Sequence, residues 1–347
     1  GHAPLISLRP VRFAGSAKGE ESGAVYAILL SHHVISDHVS MDVMVNEIHQ
    51  ILAGHEGQLQ APVSYRGFVA HALSGEMQAG AEDFFRKQLG DVEGQTVPFG
   101  LADTHLDGSG IEEISCGLED ALSGRIRACV RRLGVSAATL FHLTYGLVLA
   151  RCSSRDDVVF GSVLSGRMGG VSGADRMVGM FINTLPVRIR MKDADVLGVM
   201  RMLHGALAGL LKYEQTPLAV VQRFSGFGGD VSLFSAVLNY RHSQMPDGAT
   251  ESLGFEALDS RERTNYPLVV SVDDMGEGFV LKVQTLACVV APDRVLGYMQ
   301  RAVVEVLHAL EEDPHRRLLS LPVVPHHEWE QVIHGFNATQ AEYPKDA

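Results

Sequence analysis

The sequence predicts an α/β chain built as two lobes, and three observations carry that prediction. The chain has 347 residues, and chains of this length usually divide into pieces of ~100–200 residues each. Near its start an apolar run of strand length, Ala24 to Leu30, leads into an amphipathic helical stripe. From Ile111 a second alternation of strand-like and helix-like segments begins and runs to Leu310.

The elements follow in order. Ala24 to Leu30 has the composition of a buried strand. Met41, Val45, Ile48 and Leu52 then recur at helical spacing. Ser40 suits the N-cap of that helix, Asp42 its first turn, and Gly54 its end. Val63 to Leu73 and Ala79 to Leu89 read as two more helices, packed through Tyr65, Phe68, Phe84 and Phe85. Gly90 to Gly110 lapses into Gly, Pro, Asp and Thr and reads as a linker. Leu122, Ile126, Val130 and Leu133 make a stripe ended by Gly134, and Ser136 caps a nearly all-apolar helix to about Ala150, which should be central. Asp157 to Leu164 is strand-like, then comes the glycine-rich stretch Gly166 to Gly173, then a strand from Phe181 to Ile189. Helices are expected at Val196–Leu211 and Pro217–Phe224. Strands are expected at Ser235–Tyr240, Pro267–Asp273 and Phe279–Leu286, and a last long helix at Pro292–Leu310. Pro325 to Ala347 is polar and aperiodic, as an interdomain linker would be. The expected boundaries are 1–95 for the first lobe, 96–324 for the second and 325–347 for the linker.

Composition narrows the function classes. The net charge is −12, which argues against a general nucleic-acid binder because that needs a basic footprint. Apolar stretches break well short of the ~18 residues of a membrane span. Gly1-His2-Ala3-Pro4 carries no signal-peptide pattern, and the absence of an initiator Met suggests a piece of a longer chain. Cys116, Cys129, Cys152 and Cys288 are scattered without a CxxC pair, so a reduced, cytoplasmic setting is expected.

The chemistry concentrates in three segments. Ser31-His32-His33-Val34-Ile35-Ser36-Asp37-His38 lies where the first strand stops and the backbone must turn. Histidine can take and return a proton near neutral pH, as acyl transfer to an amine or hydroxyl requires. The second segment runs from Asp156 through Gly161-Ser162-Val163-Leu164-Ser165-Gly166-Arg167 to Phe181-Ile182-Asn183-Thr184-Leu185-Pro186-Val187-Arg188. The third is Leu233-Phe234-Ser235-Ala236-Val237-Leu238-Asn239-Tyr240. Read alone, a His-His pair is more often structural than catalytic. Metal binding by His32, His33 and His38 with Asp37 is disfavoured, because adjacent histidines diverge from a strand end and HExxH spacing is absent. The loop Gly166–Gly173 lacks the GK[ST] of a phosphate cradle. Arg131-Arg132 and Arg316-Arg317 read as solvated helix ends, and His204, His242, His326 and His327 as ordinary core or surface residues.

Taken together and in this order, the segments resemble the condensation domains of non-ribosomal peptide synthetases, whose hallmark is HHxxxDG within the chloramphenicol acetyltransferase-like superfamily. The resemblance runs from about Pro4 to the end. There Trp329, Gly335-Phe336-Asn337-Ala338-Thr339 and Tyr343-Pro344 look like the run-in to an adenylation domain. It implies a two-lobed fold of mixed sheets packed with helices, a tunnel between the lobes, and a catalytic set of His33, His32 and Asp37. Within that set His33 acts on the nucleophile, as base or by orienting it. His32 supports the backbone, and Asp37 is structural, held by Arg167. Asn239 matches a position near the reaction centre, and Ser165, Gly166 and His38 would support the site. The family has Gly where His38 stands, and often an aromatic where Val39 stands. An imidazole there would narrow the channel for a pantetheine arm or add a polar contact.

The implied reaction is peptide-bond formation between aminoacyl or peptidyl thioesters. These ride on phosphopantetheine arms of upstream and downstream carrier domains, beside an adjoining adenylation domain. The domain itself would bind no cofactor, metal, nucleic acid or membrane. His32 and His33 exclude heterocyclisation, and the adenylation-like tail disfavours a purely epimerising domain. A dual epimerising and condensing domain stays open. So does a non-catalytic docking platform that recruits a tailoring enzyme. The family carries several strands and a helix ahead of HHxxxDG, whereas 31 residues precede His32 here. The resemblance therefore implies an incomplete first lobe, with the strand from Ala24 short of sheet neighbours.

Overall fold

The computed structural model describes residues 5–12, 25–73, 75–104, 108–169, 172–226, 232–242 and 264–340. Ala24, Gly170, Val171, Tyr343 and Pro344, singled out above, lie outside them. The first strand, β1 (Ile6–Arg12), pairs antiparallel with β2 (Val25–Ser31), setting Pro10 opposite Ala27. The sequence predicts no neighbour for β2, and the structure supplies one. Pro10 masks it, because proline cannot donate to a ladder and persists only in an edge strand. The ribbon leaves apolar side chains in water: Leu8 is 63% exposed, Ile28 52% and Leu30 48%.

After the ribbon come α1 (His38–Leu52), α2 (Tyr65–Ala72) and α3 (Gly75–Leu89). Ser64 caps α2 by accepting the Arg66 N–H. The cap of α1 is Asp37 rather than Ser40: its carboxylate accepts the Ser40 N–H at 2.8 Å. Both residue types suit an N-cap, and the packing around Asp37 decides between them.

The chain forms two compact units, and each is discontinuous in sequence. One joins the described residues up to Gly75 to Ser165–Ile182. The other takes Glu76–Leu164 and the described residues from Asn183 onward. A single cut near residue 95 misses this division at both ends. α3 lies in the second unit, where Ala81, Phe85 and Leu89 are buried and the Phe84 ring sits 5.2 Å from that of Tyr213. The described residues 90–104 are no loose linker. Val92, Thr96, Pro98 and Leu101 are buried, and Thr96 Oγ1 accepts the Val159 N–H at 2.8 Å.

The second unit continues with β3 (Ile111–Gly117), α4 (Asp120–Leu133), α5 (Ala137–Ser153), β4 (Asp157–Leu164), β5 (Asn183–Arg190), α6 (Val196–Lys212) and α7 (Leu218–Phe224). It closes with β6 (Ala236–His242), β7 (Leu268–Asp274), β8 (Phe279–Leu286), α8 (Pro292–Glu312) and the short α9 (His326–Glu330). Its six strands form one mixed sheet in the order β3-β8-β7-β6-β4-β5. β6 runs parallel to both β4 and β7, and the remaining pairs are antiparallel. β7 is buried along most of its length, as a strand covered on both faces must be, while β8 alternates buried with half-buried residues. α5 is the central helix. Ser136 caps it by accepting the Thr139 N–H, and every residue from Thr139 to Ala150 is buried. Gly134 ends α4 at φ 68, a conformation that favours glycine.

One buried pair on α5 and β4 has no precedent in the sequence reading. His142 Nδ1–H donates to the Ala138 carbonyl at 2.7 Å, and Nε2 lies 2.8 Å from Ser162 Oγ. Burial pushes this imidazole down to about 4. His204, which showed no partner in sequence, meets Thr139 Oγ1 at 3.1 Å. The start of the expected tail is anchored rather than free: Glu328 on α9 accepts from Tyr298 at 2.7 Å and from Arg294. Among the described residues no single helix is long and apolar enough to cross a membrane.

Two-stranded ribbons are marginally stable in water, so amide hydrogens of β1 and β2 should exchange well before those of β7. Equal protection would contradict this. The neutral His142 contributes stability that is fully present above the unfolded histidine pKa. That contribution is lost as pH falls from about 6.5 toward about 4, the shift amounting to about 3 kcal/mol by pH 4. Denaturation across this range should show a flatter slope for His142→Gln than for the native chain.

Candidate active site

The first unit carries a loop from the last residue of β2, Ser31, to the N-cap of α1, Asp37. Its backbone is held at 2.8 Å by the His32 N–H on the Leu5 carbonyl, and at 3.1 Å by the Ile35 N–H on the His32 carbonyl. His32 is exposed, and its Nδ1 accepts the Val34 N–H at 3.1 Å. That contact gives His32 a supporting place in the turn. His33 is also exposed, and its Nδ1 lies 2.8 Å from the Ser36 carbonyl. A carbonyl only accepts, so Nδ1 carries the proton, and in the neutral ring Nε2 holds the basic lone pair.

Asp37 ends the loop inside the protein, 3% exposed. Its Oδ1 accepts the Ser40 N–H and, at 2.7 Å, Arg167 Nη2; its Oδ2 accepts the Phe181 N–H at 3.3 Å. Burial alone would raise this carboxyl. Hydrogen bonds from Ser40 and the neighbouring Arg167 guanidinium outweigh it and hold the group below the usual carboxylate range. Ser40 is a second hub. Its Oγ lies 2.7 Å from both Asp37 Oδ1 and the Gly179 carbonyl, with one proton to give, and accepts from the Gly179 N–H and Arg167 Nη2 at 3.0 Å each.

Arg167 uses both terminal nitrogens of its fork, while its buried Nε has no hydrogen-bond partner among the described residues. Nη1 donates to the Ala174 and Met177 carbonyls, and the guanidinium lies 3.9 Å from the centre of the Phe181 ring. Beneath it, Phe68, Ala174, Met177 and Phe181 form a small separate core joined by Val63 and Tyr65. Tyr65 donates to the Met180 carbonyl. Gly179 must be glycine, since a Cβ there would overlap the Tyr65 ring. These contacts draw Ser165–Ile182 into the first unit, so Arg167 belongs to the unit that carries Asp37 and not to the expected second lobe. Ser165 Oγ accepts the Arg167 N–H at 3.5 Å, and Gly166 makes the turn at φ 70.

His38 is the first residue of α1, exposed, with no positive φ, so the backbone does not demand the glycine usual there. Asn239 lies half-buried on β6, in the second unit, paired in register with Ser271 and Val163. Ser31, Ser36, Ser40, Tyr65, Gly179 and Phe181 were not among the expected site residues. Ser31, Ser36 and Phe181 lie within the segments quoted above, Tyr65 among the packing aromatics, and Ser40 carried a signal as a capping residue, but none of these signals marked a site role. Ser162 and His142 have the residue types of a nucleophile and its base, but at 1% and 3% exposure no substrate reaches them. Among the described residues no three His, Cys, Asp or Glu side chains gather as a metal requires.

Removing one partner of a buried ion pair costs about 3–5 kcal/mol. Arg167→Ala should therefore melt far below the native chain, and Arg167→Lys, which keeps charge but not the fork, should fall between them. A melt of Arg167→Ala unchanged from native would refute the pairing's structural weight.

Comparison with known proteins agrees with this layout. The chain matches the family described as Condensation domain over residues 11–333. Malpibaldin synthetase of Mortierella alpina is 41% identical over 326 residues, covering 94% of this chain and 6% of that protein. Bacitracin synthase 3 of Bacillus licheniformis is 26% identical over 325 residues, covering 91% and 5%. The chain thus spans a small fraction of the length of these relatives. Among solved structures, a four-domain nonribosomal peptide synthetase bound to AMP and glycine superposes with a TM-score of 0.72 at 12% identity, over 94% of this chain and 26% of that one. The X-domain from teicoplanin biosynthesis superposes at 0.71 and 21% identity, over 91% and 75%. The mixed sheet, its packed helices and these neighbours are those of the chloramphenicol acetyltransferase-like fold, and by the match across nearly its whole length this chain belongs to the condensation-domain family of non-ribosomal peptide synthetases.

Proposed function

We propose that this chain forms peptide bonds between thioesters presented by carrier domains. The observation that carries this reading is the hydrogen bond from His33 Nδ1 to the Ser36 carbonyl, because it leaves Nε2 of the neutral ring to accept a proton. The amine of the acceptor attacks the donor thioester carbon, and a C–N bond forms as the C–S bond breaks. The proton lost by the amine passes through His33 Nε2 to the leaving thiolate. His32 and Asp37 do not touch substrate in this scheme: His32 steadies the turn and Asp37 fixes its far end. By resemblance, Asn239 would hydrogen-bond substrate or the developing oxyanion. His38, exposed at the start of α1, would line the approach of the acceptor arm.

Both substrates would arrive on phosphopantetheine arms of upstream and downstream carrier domains, with an adenylation domain adjoining. The chain itself needs no cofactor for this chemistry. The relatives named as a synthetase and a synthase support that setting. A platform that only recruits another enzyme has no use for an ordered His33, so the hydrogen-bonded ring favours catalysis.

His33→Ala should remain folded and lose about 10²- to 10⁴-fold in single-turnover product formation with loaded carriers, the usual loss for a general base. Near-native product formation by the folded variant would end the catalytic assignment. A native chain that binds carriers but forms no amide would favour the docking platform.

A further inference from the structure

We propose that Ser271 is a second hydrogen-bond donor to the substrate carbonyl oxygen, beside Asn239. The six-stranded sheet has two unlike faces. Leu238 on β6 and its register partner Val270 on β7 are fully buried, as is Val272, the partner of Tyr240. That face looks toward α5, since the Tyr240 ring lies 6.1 Å from that of Phe141. Side chains alternate along a strand, so Asn239 and Ser271 project from the opposite face. They are register partners on the parallel strands β6 and β7. Val163 on β4 and Lys282 on β8 flank them in the same row.

β7 begins Leu-Val-Val-Ser-Val, so Ser271, 7% exposed, is a polar interruption in an apolar run. A hydroxyl kept in a largely buried strand without a hydrogen bond is costly. The side chains of Ser271 and Asn239 make no hydrogen bond among the described residues, yet neither is sealed off as the unpaired Ser123 hydroxyl is. The cations on this face are already paired: Lys282 with Glu113 at 3.2 Å and Arg241 with Asp273 at 2.7 Å. The row therefore offers a ligand one amide and one hydroxyl, both neutral. Neighbouring strands lie ~4.8 Å apart, so an oxygen between the two side chains can sit ~2.9 Å from each. Two residues back along the same face, Gly161 leaves room for the Phe234 ring, which stacks on Tyr266 at 5.9 Å. That aromatic wall keeps bulk water from one side of the pair. When the amine adds to the thioester, the C=O π pair moves onto this oxygen, and it returns as the C–S bond breaks. Donors fixed on a sheet hold the transient charge without reorganising.

This rests on the reading of the chain as amide-forming with Asn239 at the substrate, and the test separates the two. With the full chain and carrier-loaded substrates, Ser271→Ala should lower kcat about 10²-fold with KM unchanged, the loss expected for one oxyanion donor. Ser271→Thr keeps the hydroxyl on a residue suited to a strand and should restore most of the rate. Ser271→Ala should melt at or above the native chain, because it removes an unpaired hydroxyl from a largely buried position. The losses in Asn239→Ala and Ser271→Ala should not multiply in the double variant, since both donors serve one oxygen. Native kcat in Ser271→Ala where His33→Ala is inactive would overturn the proposal. So would a raised KM at native kcat, losses that multiply, or a slow, less stable Ser271→Ala that Ser271→Thr does not rescue. If His33→Ala is fully active while Ser271→Ala still loses kcat, the paired donors stand and the assignment of His33 as base falls. A native chain that forms no amide overturns both.

Discussion

The buried carboxylate of Asp37 is the constraint on which the site depends. Taking an ion out of water costs several kcal/mol after relaxation, and only close countercharge and hydrogen bonds offset that cost. Asp37 recovers it through the Arg167 guanidinium, two N–H groups and the Ser40 hydroxyl system. Each partner has a structural effect of its own. The Ser40 N–H makes Asp37 the cap of α1 and so sets where the helix starts. Arg167 brings the Ser165–Ile182 segment alongside. The Phe181 N–H places an aromatic ring under the guanidinium. One carboxylate thereby fixes the far end of the histidine loop, the helix behind it and the segment beside it.

Accessibility separates the two histidines that have the right neighbours for chemistry. His142 has a hydroxyl on one ring nitrogen and a carbonyl on the other, yet it is sealed between α5 and β4 and held neutral by burial. His33 has the same kind of carbonyl partner but faces solvent. Similar hydrogen bonding thus serves core packing in one place and suits proton transfer in the other. Residue type and spacing alone cannot tell them apart, because exposure is a property of the folded chain.

Much of the fold was legible because it rests on local patterns. The strand before the histidines, the nearly all-apolar α5 and the long α8 each show a period or run that the packed structure then uses. Pairing of Asp37 with Arg167 was legible only through resemblance, since 130 residues separate them. What was missed depends on contacts with no local signature. Pro10 disguised β1. Asp37 displaced Ser40 as cap because a distant guanidinium stabilises its charge. Val92, Pro98 and Leu101 are buried without repeating any period, so composition alone suggested a loose connection. The hydroxyls of Ser31 and Ser36 meet only once the turn between them is formed. The place of Asn239 on β6 follows from the strand pattern, but its assignment to substrate comes from resemblance alone.

The separation of Asp37 from Arg167 also bears on the order in which the chain folds. Contacts distant in sequence require loop closure before they repay it, and such contacts slow folding. Helix α1 can begin to form on its own stripe, but its N-terminal carboxylate finds a countercharge only after the chain has passed through α3, α4, α5 and β4 and returned with Ser165–Ile182. On a ribosome, where the N-terminal part emerges first, the histidine turn would exist for some time with Asp37 still hydrated. Its final geometry would be set late, by a segment synthesised 130 residues afterwards.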